Sequence, residues 1–260
     1  MPITTEALLI AARAAARPVL YRKDSIANVG ASQIVSLYRA TGFPTQPVVP
    51  AAHVVCDATT TGAITLPFVI SGGNNVFVDA ILMQFAVPGQ LQMVDRIIHG
   101  GGLNGTLITA QTVSTPALPA RAPAARCRWF LECYADLGAT ATNATLAVTH
   151  TDATTANIVV AIPTTWRAAR QLEIIAGAGK VIASVQSVTL TATTGVAGSF
   201  GVTCELPVGV RCGVLAAGSS IEYESLMRDM QSASPCLVGK ILATNTTAGA
   251  IDGEIIVMQG

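Results

Sequence analysis

The alternation of apolar and polar positions changes twice along the chain, and each change marks a different kind of element. Residues Thr5 to Arg17 are rich in Ala, Leu and Arg, strong helix formers, with Thr4 or Thr5 placed to cap the start. Leu8, Ile10, Ala11, Ala14 and Ala15 surround much of that cylinder, so the pattern predicts a helix that packs against something, either a neighbouring subunit or its own domain, and Pro18 ends it. From Phe43 to Pro50 three prolines in eight residues exclude regular structure, which places a soft boundary there. Residues 1–45 are thus expected to be a helix and arm, and residues 46–260 a body with an internal division near 115–126.

In the body the texture becomes short runs of Val, Ile and Thr separated by Gly, Asn and Pro, the pattern of antiparallel strands joined by turns. Candidate strands include Val76 to Val87, Leu91 to His99, Thr106 to Val113, Arg126 to Tyr134, Ala144 to His150, Ile158 to Ile162, Val181 to Ala192, Ser199 to Leu206, Val210 to Leu215 and Leu237 to Leu242. Within Arg126 to Tyr134, Cys127, Trp129, Leu131 and Cys133 recur at period two and predict a core face, with Arg128 and Glu132 on a partly exposed one. Short helices are expected at Pro163 to Arg170 and Ser219 to Met230. The fold class expected is all-β: an antiparallel β-sandwich or jelly-roll-like body, or two related sandwiches, with a short N-terminal helical arm.

Composition changes this picture in one respect. The chain is 51% hydrophobic but only 12% charged, about half the charged fraction of an ordinary soluble domain. So little charge suits a surface that meets other subunits, because interface centres are depleted in charge. Fifteen basic and fifteen acidic residues cancel, and without an overall positive field direct binding to a nucleic-acid backbone is disfavoured. Arg13, Arg17, Arg22 and Lys23 form the nearest thing to a basic patch and read as a solvated helix face. The apolar run Ala7 to Leu20 is too short and too interrupted to span a membrane, and it lacks the marks of a signal peptide, so synthesis in a cytoplasm is expected.

Candidate chemistry is sparse. The six cysteines show no C-x-x-C pairing and the three histidines lie apart from any paired cysteines, so neither a metal nor a cofactor is expected; the thiols read as small buried hydrophobes. His99-Gly100-Gly101-Gly102 resembles an esterase oxyanion loop, but no G-x-S-x-G elbow accompanies it, and a turn between strands is the better reading. His53, Cys56 and Asp57 are close in sequence without the geometry of a Cys-His nucleophile. Asp95-Arg96 reads as an ion pair at a strand edge. No catalytic residue is assigned.

Several phrases carry a resemblance: Ser36–Gly42 (SLYRATG), Asp95–Thr106 (DRIIHGGGLNGT) with Ala110-Gln-Thr112, Gly138–Asn143 (GATATN) and Ser187–Val202 (SVTLTATTGVAGSFGV). They resemble a group of virion structural proteins of tailed bacteriophages. What the resemblance implies is a structural part of the particle, with no catalytic residues to transfer. The expected function is a capsid decoration or cement subunit that stabilises the head by contact with its own copies and with other virion proteins such as the major capsid protein. A neck, collar or tail part is the alternative, followed by a carbohydrate- or receptor-binding module, with an enzyme last. Leu8, Ile10 and Arg17 on the arm, with His99 and Gly101 in the glycine turn, are the candidate subunit contacts.

Overall fold

A computed structural model of the chain describes residues 3–24, 33–49, 51–72, 74–214, 218–223, 234–243 and 249–260. Among them lie one α-helix and sixteen strands, and every strand ladder given by register is antiparallel. The chain divides into two compact units, each discontinuous in sequence. The first comprises residues Met1–Pro47, Cys56–Asp95 and Pro207–Gly260, and the second Val48–Val55 and Arg96–Leu206.

In chain order the elements are α1 (Glu6–Ala14), β1 (Arg17–Lys23), β2 (Ile34–Ser36), β3 (Gly42–Phe43), β4 (Val54–Val55), β5 (Val76–Phe85), β6 (Gly89–His99), β7 (Gln111–Thr112) and β8 (Arg128–Ala135). They continue with β9 (Thr142–His150), β10 (Thr155–Ile162), β11 (Arg170–Ile174), β12 (Ile182–Leu190), β13 (Ser199–Val214), β14 (Gly218–Tyr223), β15 (Leu237–Ala243) and β16 (Ile251–Gln259).

The first unit is built on a sheet of order β14-β5-β16-β1-β3. Thr5 caps α1, its hydroxyl accepting from the Leu8 N–H at 3.3 Å. The helix ends at Ala14, short of the expected Arg17, because Val19, Leu20 and Tyr21 favour extension and β1 pairs with β16 along all seven of its residues. Pro18 is tolerated because β3 reaches only Arg22 and Lys23 on the other side. The basic residues consequently do not share a helix face. Arg13 donates to Asp79 at 2.9 Å, while Lys23 is buried in β1 and donates to the carbonyls of Ala40 and Pro44. Burial lowers the Lys23 ammonium to about 8. Ala12 seats the helix on Phe77 and Met258 of its own unit. Leu8 is half-buried, Ile10 is 61% exposed, and exposed Arg17 donates to the carbonyls of Ala15 and Ala16. Beneath the sheet, Val19, Tyr21, Ile81, Met83 and Ile255 share a core with Leu91 and Met93, and β15 pairs with β2 and with the 89–95 part of β6.

The second unit contains a four-stranded sheet, β10-β9-β12-β7, and a second group in which β8 lies between β11 and the 199–205 part of β13. Leu146, Val148, Val185 and Val188 from the first group and Trp129, Leu131, Cys133 and Val202 from the second meet in one core. The strand expected over Thr106 to Val113 shrinks to Gln111–Thr112. Its first half is a turn held by side chains: Asn104 Oδ1 accepts from Thr106 N–H, and the Gln111 amide both accepts from Asn104 N–H at 2.7 Å and donates to the Asn104 carbonyl at 2.9 Å. Ser199 to Leu206 and the expected strand starting at Val210 merge into β13, which runs to Val214, and Leu215 lies outside the described residues. The Ser219 to Met230 helix is replaced by β14 at its start, and residues 224–230 lie outside the described residues. Pro163 to Arg170 contains turns, and Trp166 is buried there.

Candidate functional site

The densest chemistry among the described residues grows out of β8. As expected, Trp129, Leu131 and Cys133 face the core, but the opposite face is also dry: Phe130 and Glu132 are both 0% exposed and Tyr134 is buried. The expected exposure of Glu132 is therefore corrected, and only Arg128 of that pair remains half-exposed, in a bidentate pair with Glu173 at 2.7 and 2.6 Å. Register explains what Glu132 meets. It lies opposite Gln171 of β11, while Glu205 of β13 lies opposite Arg128, so these side chains share one face.

Arg96 of β6 closes the cluster. Its Nη2 donates to Glu132 Oε2 at 2.8 Å and to Glu205 Oε1 at 3.3 Å, and Gln171 Nε2 donates to the same two oxygens at 3.0 and 2.7 Å. Arg96 is thus no edge residue, and the ion pair expected with Asp95 gives way to these contacts. Asp95 instead accepts from the Cys236 N–H at 2.8 Å. Arg96 Nη1 lies 2.9 Å from His99 Nδ1. A guanidinium has only donors, so Nδ1 must accept and the His99 ring is neutral with its proton on Nε2. The Tyr134 hydroxyl donates to the Gly100 carbonyl at 3.1 Å, and its ring meets His99 edge-on at 5.3 Å.

The glycine run after His99 has two separate causes. Gly102 sits at φ +84°, where a side chain is strained. Gly100 is needed for approach: a Cβ there would enter the His53 ring, and a Cβ on Gly201 would stand 1.8 Å from the Gly100 carbonyl. The run lies against β13, with Leu103 and Phe200 exchanging backbone hydrogen bonds of 3.0 and 3.1 Å. His53 is held there, its Nε2 accepting from Val202 N–H at 3.3 Å, and burial lowers its pKa to about 4.

That shift has a measurable consequence. An unfolded chain binds a proton on His53 near pH 6.5, and the folded chain does not until about pH 4. Stability contributed by neutral His53 is present above pH 6.5 and is lost as pH falls from there through 4. In an NMR titration the His53 ring is expected to titrate near 4, and His53→Gln is expected to flatten the acid limb of the stability profile. A His53 midpoint near 6.5 would contradict the burial argument.

Of the expected contact residues, Leu8, Ile10 and Arg17 fall in the first unit, and His99 and Gly101 in the second. Gly101 is buried and His99 is 2% exposed, so neither offers a surface to a neighbour, and the expectation that they are subunit contacts is corrected. His53 and Cys56 fall in different units, and Asp57 caps a local turn by accepting from the Thr59 N–H and hydroxyl. His150 is buried, with its Nδ1 3.2 Å from the Thr154 hydroxyl. All six cysteines are free thiols, and five are buried; burial pushes Cys133 up to about 12. Among the described residues no group of His, Cys, Asp and Glu is arranged to hold a metal ion, and no helix is long and apolar enough to cross a membrane.

The Arg96 cluster was missed in the sequence, yet a signal was there. Arg96, Glu132 and Glu205 each stand inside an apolar run, flanked by Ile97, by Leu131 and Cys133, and by Cys204 and Leu206. In so weakly charged a chain, a charge inside such a run marks an interior pair. Chemically the cluster holds acids, a base and a phenol, but they are fully desolvated and bonded to one another, an arrangement that fixes strands in register. A groove of about 240 Å³ lined by Cys127, Trp129, Ile174 and Ile182 has its charged rim occupied by the Arg128–Glu173 and Lys180–Asp152 pairs. Comparison with family models, with curated proteins and with solved structures finds no match for this chain.

Proposed function

We propose that this protein is a structural subunit of a tailed-phage particle, a decoration or cement protein of the capsid built as a jelly-roll-like sandwich. The observation that carries the reading is where the few charges go. Lys23, Asp95, Arg96, Glu132, Glu205 and Lys240 are all buried. A chain with only fifteen basic and fifteen acidic residues therefore presents a surface poorer in charge than its composition implies, and such a surface suits contact with other subunits. The shared core of the two strand groups in the second unit supports the sandwich form. A sugar-binding module has less support, because Trp129, Trp166, Tyr21, Tyr38 and Tyr134 are all buried and offer no stacking platform.

Mass spectrometry of particles made by the virus that encodes the chain tests the reading. The protein is expected in many copies, and cryo-EM is expected to place it at symmetry-related positions on the shell. A ring at the neck or tail would move the subunit without changing its nature. Absence from purified particles would end the proposal.

A further inference from the structure

The second unit leaves one strand edge unguarded. β10 closes the sheet β10-β9-β12-β7, and its eight residues pair with β9 in unbroken register from Thr155↔Thr149 to Ile162↔Thr142. Among the described residues no strand pairs with its other edge. Folded proteins blunt such edges with charge, proline or a bulge. The β10 sequence TANIVVAI has no charged residue and no proline, and its register is continuous.

Two further observations show that this edge is unfinished. Ala156 and Ile158 face the core of the unit yet remain half-buried, and Val159 is 61% exposed. The solvent side of the same sheet is also free of charge next to β10, where Thr145, Ala147 and Thr149 of β9 lie opposite Val159, Asn157 and Thr155. Two copies brought side by side would meet no like charges.

We infer that β10 is a homotypic docking edge that pairs antiparallel with β10 of a second copy, extending the sheet across the two chains. Directly opposite residues share a face, so a two-fold pairing must centre on a residue, Ile158 or Val159, to keep the core side of both copies continuous. A two-fold on Val159 sets Ala156 beside Ile162 and Ile158 beside Val160 of the other copy, and one on Ile158 sets Ile158 beside itself and Ala156 beside Val160. The edge is about 27 Å long at about 3.4 Å per residue, and the surface it buries is below that of a standard stable interface. The contact is weak alone and strengthens when copies are held together on a particle. The inference deepens the structural-subunit reading by naming the surface its copies share.

Sedimentation velocity on the full chain tests it, over roughly 1 µM to 1 mM. The wild type is expected to pass from monomer to dimer across that range. Val159→Lys and Val159→Glu, at an exposed position, are each expected to weaken dimerisation by about tenfold or more, since like charges meet across the two-fold. An equimolar mixture of the two is expected to associate again, which a folding defect cannot produce. A wild type that stays monomeric throughout, or variants that dimerise as it does, would overturn the edge pairing. Mass spectrometry of particles keeps the two readings apart: presence in particles with a monomeric wild type sinks the edge alone, and absence with intact dimerisation sinks the virion role alone.

Discussion

Arg96→Met is expected to destabilise the second unit by about 3–5 kcal/mol, the range for removing one partner of a buried ion pair. The guanidinium is 0% exposed and its Nη2 serves both Glu132 and Glu205. Without it, two buried carboxylates lose the guanidinium they share, while the Gln171 amide still donates to both. Most of the cost is therefore the burial of two acids without their countercharge, and the bond itself contributes less. The triple replacement Arg96→Met, Glu132→Leu, Glu205→Leu is accordingly expected to recover most of the loss, because three apolar side chains leave no charge to desolvate. Urea titration followed by tryptophan fluorescence reads this directly, since Trp129 and Trp166 both lie buried in that unit. A loss under about 1 kcal/mol for Arg96→Met would show that the cluster is not the electrostatic keystone described here.

Gly201→Ala is expected to cost about 3 kcal/mol, at the upper end of ordinary overpacking. The added methyl would stand 1.8 Å from the Gly100 carbonyl oxygen and 2.6 Å from the Gly101 Cα. Both obstacles are backbone, so neither can rotate aside. The 100–103 segment would have to lift from β13 and break the Leu103–Phe200 bonds that hold it. Gly177→Ala supplies the control, because nothing lies within 4 Å of its added Cβ, and its effect is expected within about 0.5 kcal/mol of zero. Equal midpoints for the two variants in the same fluorescence titration would refute the close-approach explanation.

Legibility in the sequence followed the range of the forces involved. The N-terminal helix was readable because a cap and propensity act within a few residues, and Thr5 does cap it. Its end was misplaced by three residues because β1 is stabilised by β16, more than two hundred residues away. For the candidate site, alternation in β8 identified the core face through Trp129 and Leu131, but a period of two cannot say whether the second face is covered. That depends on Arg96, Gln171 and Glu205 arriving from three other strands.

By itself, then, the sequence determined an antiparallel, nearly all-β chain with one short helix at its start and little charge to spend on its surface. Those properties follow from propensity, periodicity and composition, which are local or additive. Tertiary structure alone decided that Glu132, Glu205 and Arg96 are interior, that Gly100 and Gly201 are glycines for backbone approach, and that β10 ends a sheet without protection. Each of these depends on which distant strand lies alongside, and pairing at that distance is set by the burial of whole faces, which no local window of residues encodes.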